Sequence, residues 1–399
     1  MRVNALTLRE PSALRDALAR RGLDPGRADA AVKGIGPVAL LFDSVSAEER
    51  DGLDETAKRH GLECLTGEGW ALLVGSVSAL SGSIRSGSSR LSADTAADIG
   101  RLLRGMVEPP TAWEMVRGTI SLDHPVVVGI INVTPDSFSD GGRYLGSDAA
   151  IRHAEYLLEC GADMIDIGAE STRPGVSRRL SPSEEWLRLE PVLRESVRRF
   201  PSAPVSVDTV NPETGRRALD VGAWALNDVS GLRLDAGMAS ACAEYGAGLI
   251  LMHSRGDLRE ISTYQYAEYD DVATEVATEL QHSVRVAEEH GVSRDRIVLD
   301  PGLGFAKRPE HNYAVLRGLT VLAALGLPVM VGPSRKRFLG QVVGADVSER
   351  DNATAAACVA AYGLGAGLFR VHDVHRVREA LQIAHAVREP VCSSSNFDS

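Results

Sequence analysis

The sequence predicts an α/β protein: a (β/α)8 TIM barrel preceded by a smaller N-terminal α/β domain. Three observations carry that prediction. From about residue 118 onward, short apolar runs rich in β-formers alternate with longer amphipathic stretches. Most of the runs lack the apolar–polar alternation of a half-exposed strand, so both faces are buried, as a parallel sheet requires. Polar residues cluster where the runs stop, as they do at the C-terminal rim of a barrel. The competing arrangement is a doubly wound open sheet. It typically carries a glycine-rich fingerprint after its first strand, whereas here the first run ends in Asn132-Val133-Thr134-Pro135-Asp136-Ser137-Phe138.

Residues 1–80 read as the small domain. Pro37-Val38-Ala39-Leu40-Leu41-Phe42 and Trp70-Ala71-Leu72-Leu73-Val74 have buried-strand patterns. Between them, Ser46 stands three residues before Glu49, the capping-box spacing that opens a helix running to His60. Ser81 to Ser89 is rich in Ser and Gly, the composition of a flexible segment. A helical stretch from Ala93 to Met106 and then Pro109-Pro110 complete a linker over 81–116. The barrel is expected over 117–390, with a flexible tail at 391–399. Its strands are expected at Val126–Ile131, Asp163–Ile167, Pro204–Val207, Ala223–Asn227, Ala247–Met252, Arg296–Leu299, Leu327–Val331 and Gly367–Val371. Helix starts fall between them. Ser181-Pro182-Ser183-Glu184 places a cap, a proline at the first helical position and a glutamate at the third, and Asn211-Pro212-Glu213 opens the next helix similarly.

Composition narrows the function. The chain has 399 residues, 44% hydrophobic and 24% charged, the balance of an ordinary globular protein rather than a disordered one. A net charge of −11 disfavours nucleic acid and anionic membranes as partners. No apolar run approaches the roughly 20 residues that span a bilayer, and Met1 to Glu10 lacks the apolar core of a signal peptide. Cys64, Cys160, Cys242, Cys358 and Cys392 form no CxxC pair. Reduced thiols in a cytoplasm are expected.

The rim residues suggest what the barrel holds. Asp208, Asn227 and Asp300 would bring carboxylate and amide groups to one concave site from three runs. Carboxylates accept paired hydrogen bonds from planar N–H edges, which suits an amino-substituted, guanidine-like pyrimidinone ring. Lys336 can donate to a ring nitrogen or carbonyl. Arg370 and His372, two residues apart at the end of the last run, point the same way and can hold a phosphate or diphosphate. The last two barrel strands are a frequent phosphate site; Asp373 is placed to cap the following helix. Asn132 offers a neutral oxygen that could hold Mg²⁺ opposite a diphosphate. No HxxxH or Cys/His cluster suggests zinc. The loops 133–147 and 171–180 are long enough to act as lids, bringing Asp136 and Arg173 over the site.

These residues stand in long ordered motifs: Gly129-Ile130-Ile131-Asn132-Val133-Thr134-Pro135-Asp136-Ser137-Phe138-Ser139-Asp140-Gly141-Gly142, Glu170-Ser171-Thr172-Arg173-Pro174-Gly175, Ser206-Val207-Asp208-Thr209, Asn227-Asp228-Val229-Ser230-Gly231, Asp300-Pro301-Gly302-Leu303-Gly304-Phe305, Ser334-Arg335-Lys336 and Arg370-Val371-His372-Asp373. Together they resemble the dihydropteroate synthases, folate-pathway enzymes that sulfonamides inhibit. The resemblance covers about 117–390. It implies condensation of 6-hydroxymethyl-7,8-dihydropterin diphosphate with 4-aminobenzoate to 7,8-dihydropteroate and diphosphate, with Mg²⁺ as cofactor, in a homodimer. By the same resemblance, Asp208, Asn227, Asp300 and Lys336 hold the pterin, and Asn132, Arg370 and His372 hold Mg²⁺ and diphosphate. Thr172, Arg173, Pro174, Phe305 and Ser334 line the aminobenzoate pocket. Asp136, Arg173 and Lys336 are the catalytic candidates, with Asp136 facing a pterin-methyl cation. No activated serine or cysteine nucleophile is evident.

The chain departs from the family pattern at Ala169, where a second glycine is common, and at Ser254, where a larger residue often comes. The short family form lacks the segment before about 115. Two alternatives stay open. A pterin-binding methyltransferase barrel shares the Asp and Asn positions but has no diphosphate to hold. A non-catalytic scaffold should have lost at least one charged rim residue.

Overall fold

A computed structural model describes residues 2–7, 38–85, 93–133, 142–170, 180–257 and 260–388. The chain divides into two compact units. The first takes 1–110 together with 269–281 and 318–327; the second takes 111–268, 282–317 and 328–399.

The first unit is built on a four-stranded sheet in the order β1-β2-β4-β3. Its strands are β1 (Arg2–Thr7), β2 (Val38–Asp43), β3 (Glu63–Gly67) and β4 (Trp70–Gly75), and every neighbouring pair is antiparallel. β2 and β4 are the buried apolar runs of the sequence. β3 is half exposed, which is why no buried-strand pattern marks it. Helix α1 (Ala47–His60) starts at Ser46, whose side chain accepts from the Glu49 N–H at 3.2 Å while Glu49 accepts from the Ser46 N–H at 2.8 Å. Helices α2 (Val77–Arg85) and α3 (Ala93–Val107) follow. Ser81 to Arg85, expected to be a flexible segment, is instead the last part of α2. Leu80 and Ser83 are buried there, and the Ser83 hydroxyl donates to the Leu80 carbonyl at 2.7 Å, which absorbs its polarity locally.

The second unit opens with a hairpin that the sequence did not signal, β5 (Ala112–Met115) and β6 (Gly118–Ser121). The barrel strands follow: β7 (Val126–Asn132), β8 (Met164–Gly168), β9 (Val205–Asp208), β10 (Ala225–Asp228), β11 (Gly248–Met252), β12 (Ile297–Asp300), β13 (Met330–Val331) and β14 (Leu368–Val371). All eight lie parallel, in the order β12-β11-β10-β9-β8-β7-β14-β13. A single parallel bridge between Leu299 and Val329 joins β12 to the residue before β13 and closes the ring. This is the expected (β/α)8 barrel. Helices between successive strands include α4 (Gly142–Glu159), α5 (Pro182–Arg199), α6 (Pro212–Val221) and α7 (Gly237–Tyr245). The predicted cap of α5 is present, with the Ser181 hydroxyl accepting from the Glu184 N–H.

The hairpin forms the barrel floor. Trp113, Met115 and Ile120 pack with Val126, Val128, Met164, Ala225, Ile250, Val298, Met330 and Leu368. The buried Trp113 indole donates from Nε1 to the Arg296 carbonyl at 2.8 Å. Gly248 permits this approach, because a Cβ there would lie 2.5 Å from the Trp113 ring. Side chains in a strand alternate between faces, so residues two apart share one. Two residues beyond Met164, Ala225, Val298 and Leu368 stand Asp166, Asn227, Asp300 and Arg370. The barrel interior therefore changes from apolar to polar in one step, and the polar layer sits at the C-terminal ends.

Candidate active site

Arg370 is the centre of the polar layer. Its Nε donates to Asp166 Oδ2 at 2.6 Å and its Nη2 to Asp208 Oδ2 at 2.9 Å. Asp166 also accepts from Ser206 Oγ at 2.5 Å and from Asn227 Nδ2 at 3.2 Å. The other amide atom, Asn227 Oδ1, is buried and has no hydrogen-bond partner. A buried acceptor left open is uncommon, and in a cavity wall it marks a place for a ligand donor. Asp300, on β12, accepts from the Gly302 N–H at 2.7 Å, which leaves its second oxygen available. Gly302 (φ +66°) is required there, since a Cβ would stand 1.9 Å from the His253 carbonyl oxygen.

Lys336 enters from the loop after β13. It is the N-cap of helix α8 (Arg337–Val343). The preceding Arg335 adopts a left-handed conformation (φ +58°) and is pinned in it. Both Nε and Nη2 donate to Asp351 at 2.8 Å, and its N–H donates to Thr354 Oγ1 at 3.1 Å. Within the Ser334-Arg335-Lys336 motif, Arg335 thus holds the turn that aims Lys336. The Lys336 ammonium lies 3.7 Å from the centre of the Phe305 ring. Phe305 packs in turn with Val210, Val229, Met252 and Ile261, the apolar wall of the site.

The electrostatics follow from burial. Burial pushes the Asp208 carboxyl up to about 7, against the pull of the Arg370 charge. Burial raises Asp300 too, opposed by the Gly302 N–H and by the Lys336 and Arg370 charges. Burial draws the Lys336 ammonium down to about 8, opposed mainly by Asp300. The Arg370 charge acts on Asp208, Asp300 and Lys336 alike, and Lys336 also feels both carboxylates, so these four charged groups lie close together.

Of the remaining expected residues, the structure describes Asn132, Ser334 and His372. Asn132 ends β7 beside Gly168, in register. Gly168 abuts Asp208: a Cβ at 168 would sit 3.2 Å from the Asp208 Cβ. His372 Nδ1 and Ser334 Oγ are 2.8 Å apart, and Ser334 Oγ accepts from the His372 N–H at 3.1 Å. The sequence reading paired Arg370 with His372. In the structure Arg370 turns into the ring of carboxylates while His372 joins Ser334. Asp373 takes its expected role, accepting from the Arg376 N–H at 3.1 Å. Asp228 turns away from the pocket and closes the turn after β10, accepting from the N–H groups of Ser230 and Leu232 at 2.8 Å. Asp136, Thr172, Arg173 and Pro174 lie outside the described residues.

Sequence reasoning gave no role to two groups that the structure makes prominent. Asp166 is wholly buried between Ile165 and Ile167; a carboxylate inside an apolar strand was the available signal. Lys307, 1% exposed, places Nζ 2.8 Å from His253 Nδ1 and donates to the carbonyls of Gly302 and Phe305 at 3.2 and 3.1 Å. It fastens the loop that presents Phe305 to Lys336.

A metal would find few ligands. Among the described residues no group of three or more His, Cys, Asp or Glu could hold one. The donor set, a single amide at Asn132, fits an ion that arrives with a diphosphate and keeps its other ligands from phosphate and water.

Comparison with known proteins gives this geometry a family. Residues 128–372 match the family of pterin binding enzymes. The dihydropteroate synthase of Escherichia coli K12 is 40% identical over 268 residues, covering 67% of this chain and 93% of that one. A mitochondrial folate synthesis bifunctional protein of Arabidopsis thaliana is 42% identical over 274 residues, and the match spans 65% of this chain but only 49% of that protein. Among solved structures, Xanthomonas albilineans dihydropteroate synthase with 4-aminobenzoic acid superposes with a TM-score of 0.65 at 40% identity, covering 70% of this chain and 98% of that one. The matched span runs from β7 to the end of β14 and takes in the whole polar layer, so the chain belongs to the dihydropteroate synthase family.

Proposed function

We propose that the barrel condenses 6-hydroxymethyl-7,8-dihydropterin diphosphate with 4-aminobenzoate, giving 7,8-dihydropteroate and diphosphate for folate biosynthesis. One observation carries the reading: the open Asn227 acceptor sits in a ring with Asp208, Asp300, Lys336 and Arg370 at one end of the barrel. Such a ring complements the amino and ring N–H groups of a pterin, with Lys336 donating to a ring acceptor. Phe305 and the apolar wall supply a flat face. Asn132, Arg370 and His372 take the diphosphate end, and Phe305 and Ser334 border the aminobenzoate, together with Thr172, Arg173 and Pro174.

In the reaction the bond from the pterin methylene carbon to the diphosphate oxygen breaks, and the bonding pair leaves with the diphosphate. The aniline nitrogen attacks the methylene carbon and then loses a proton. Positive groups at the diphosphate end stabilise the departing charge. Asp136 is assigned to the developing pterin-methyl cation, and Arg173 to the anionic side of the site. Mg²⁺, held through Asn132, would add charge compensation for the diphosphate.

We further propose a homodimer in a reducing compartment such as the cytoplasm. Exposed Val342, Val343, Val347, Ile383 and Val387 support the first. The free thiols of Cys64, Cys160, Cys242 and Cys358 support the second. Among the described residues no helix is long and apolar enough to cross a membrane.

The decisive experiment incubates the full chain with the pterin diphosphate, Mg²⁺ and labelled 4-aminobenzoate. Labelled 7,8-dihydropteroate should form with one equivalent of diphosphate. If both substrates are recovered unchanged, the assignment is wrong.

A further inference from the structure

Asp166 has no part in the reaction just described, yet it is the most connected carboxylate in the polar layer. It is wholly buried on β8, and an ionised carboxylate in such a place persists only when its oxygens are satisfied. Ser206 Oγ satisfies Oδ1 at 2.5 Å. Oδ2 takes two donors, Asn227 Nδ2 at 3.2 Å and Arg370 Nε at 2.6 Å. Both donors belong to groups assigned to substrate.

A carboxylate can only accept. Asn227 must therefore present its NH₂ to Asp166, and its oxygen must face the opposite way. That oxygen is the buried acceptor without a partner. If the amide were reversed, its oxygen would oppose a carboxylate oxygen and its NH₂ would meet the N–H edge of the incoming ring. The orientation of an asparagine amide is set by such neighbours and not by shape, because its two ends are nearly the same size.

We propose that Asp166 is a positioning residue that fixes the amide orientation of Asn227 and so makes position 227 an acceptor toward the pterin. The inference rests on the pterin reading of the pocket. It concerns hydrogen-bond polarity, not charge, and the two can be separated. Asp166→Asn can keep a carbonyl oxygen toward Asn227 and Arg370 and turn its NH₂ to Ser206, whose hydroxyl also accepts. Asp166→Leu fills the space and offers no acceptor.

Steady-state kinetics with the pterin diphosphate and 4-aminobenzoate test this. Asp166→Leu should raise KM for the pterin diphosphate about thirtyfold, the scale of one mismatched buried hydrogen bond. KM for 4-aminobenzoate should stay within about twofold. Asp166→Asn should stay within about threefold of wild type for both. In an Asn227→Ala background Asp166→Leu should add less than about threefold, because the amide it orients is gone. The inference is overturned if Asp166→Leu keeps wild-type KM, if Asp166→Asn loses as much as Asp166→Leu, or if the full loss persists in the Asn227→Ala background. If Asp166→Leu fails to fold, selectively ¹⁵N-labelled wild type decides. The Asn227 side-chain hydrogens should exchange slowly with solvent before the pterin diphosphate is added; rapid exchange would mean an amide that Asp166 does not hold. A wild type that binds no pterin overturns the pocket assignment and this inference together, whereas a variant result fails the inference alone.

Discussion

At the scale of single residues, the site works by holding charges where water would otherwise relax them. In its proposed role Asp208 accepts through both oxygens only when ionised, and its carboxyl is raised to about 7 by burial. Binding therefore weakens as pH falls through that value. Lys336 donates as an ammonium, and burial lowers it to about 8. Binding therefore weakens as pH rises through that value. The profile of kcat/KM for the pterin diphosphate should be bell-shaped, with apparent limbs that belong to the coupled group. Asp208→Asn should remove the acid limb and Lys336→Met the alkaline one, each costing about a hundredfold in kcat/KM. A level profile from about pH 6 to about pH 9 would contradict these roles. Most of these residues were legible because each polar side chain interrupts an apolar run at its end. Asp166 was less so. It lies inside a run, and a buried polar side chain satisfied by its neighbours looks the same in sequence as one that serves a site. The split of Arg370 from His372 was also hidden, since it depends on carboxylates from β8 and β9, strands distant along the chain.

At the scale of elements, the barrel strands were readable and their supports were not. Apolar runs marked the strands, because strands buried on both faces have no other composition available. The run Leu327–Val331 yields only Met330–Val331 as strand. Pro328 cannot donate to a ladder, although its carbonyl still accepts from the Leu299 N–H at 2.9 Å. The β5–β6 hairpin was missed because each arm is four residues long and half exposed. Its energetic weight is nonetheless large. Trp113→Ala would empty a fully buried position in the floor and should cost about 3–5 kcal/mol, read as a fall in the urea midpoint. The polar layer is built above that floor, so turnover well below the melting range should change less than about twofold. A loss under about 1 kcal/mol would show that the floor closes without the indole.

At the scale of the whole molecule, the chain is longer than the part that carries the family. The first unit has a well-formed capping box and a regular sheet, and its strands β2 and β4 were plain in the sequence. Its purpose was not, because its sequence carries no chemistry-bearing constellation. The dimer reading belongs at this scale. Sedimentation velocity at micromolar protein should give twice the chain mass. Val342→Asp with Val343→Asp should shift the chain to monomer, since these exposed valines would lie in the contact. A wild-type monomer at that concentration would remove the proposal.

The lone bridge between Leu299 and Val329 has a consequence for how ligand and fold support each other. Along most of the ring, neighbouring strands are laced by several paired residues; at this seam a single pair does the fastening. Asp300 stands on one side of the seam, and Lys336 and Arg370 follow on the other. A pterin held from both sides, as proposed, would act as a buckle across the weakest stitch. Its binding free energy then becomes closure free energy by mass action, so an enzyme at work is a tighter hoop than an idle one.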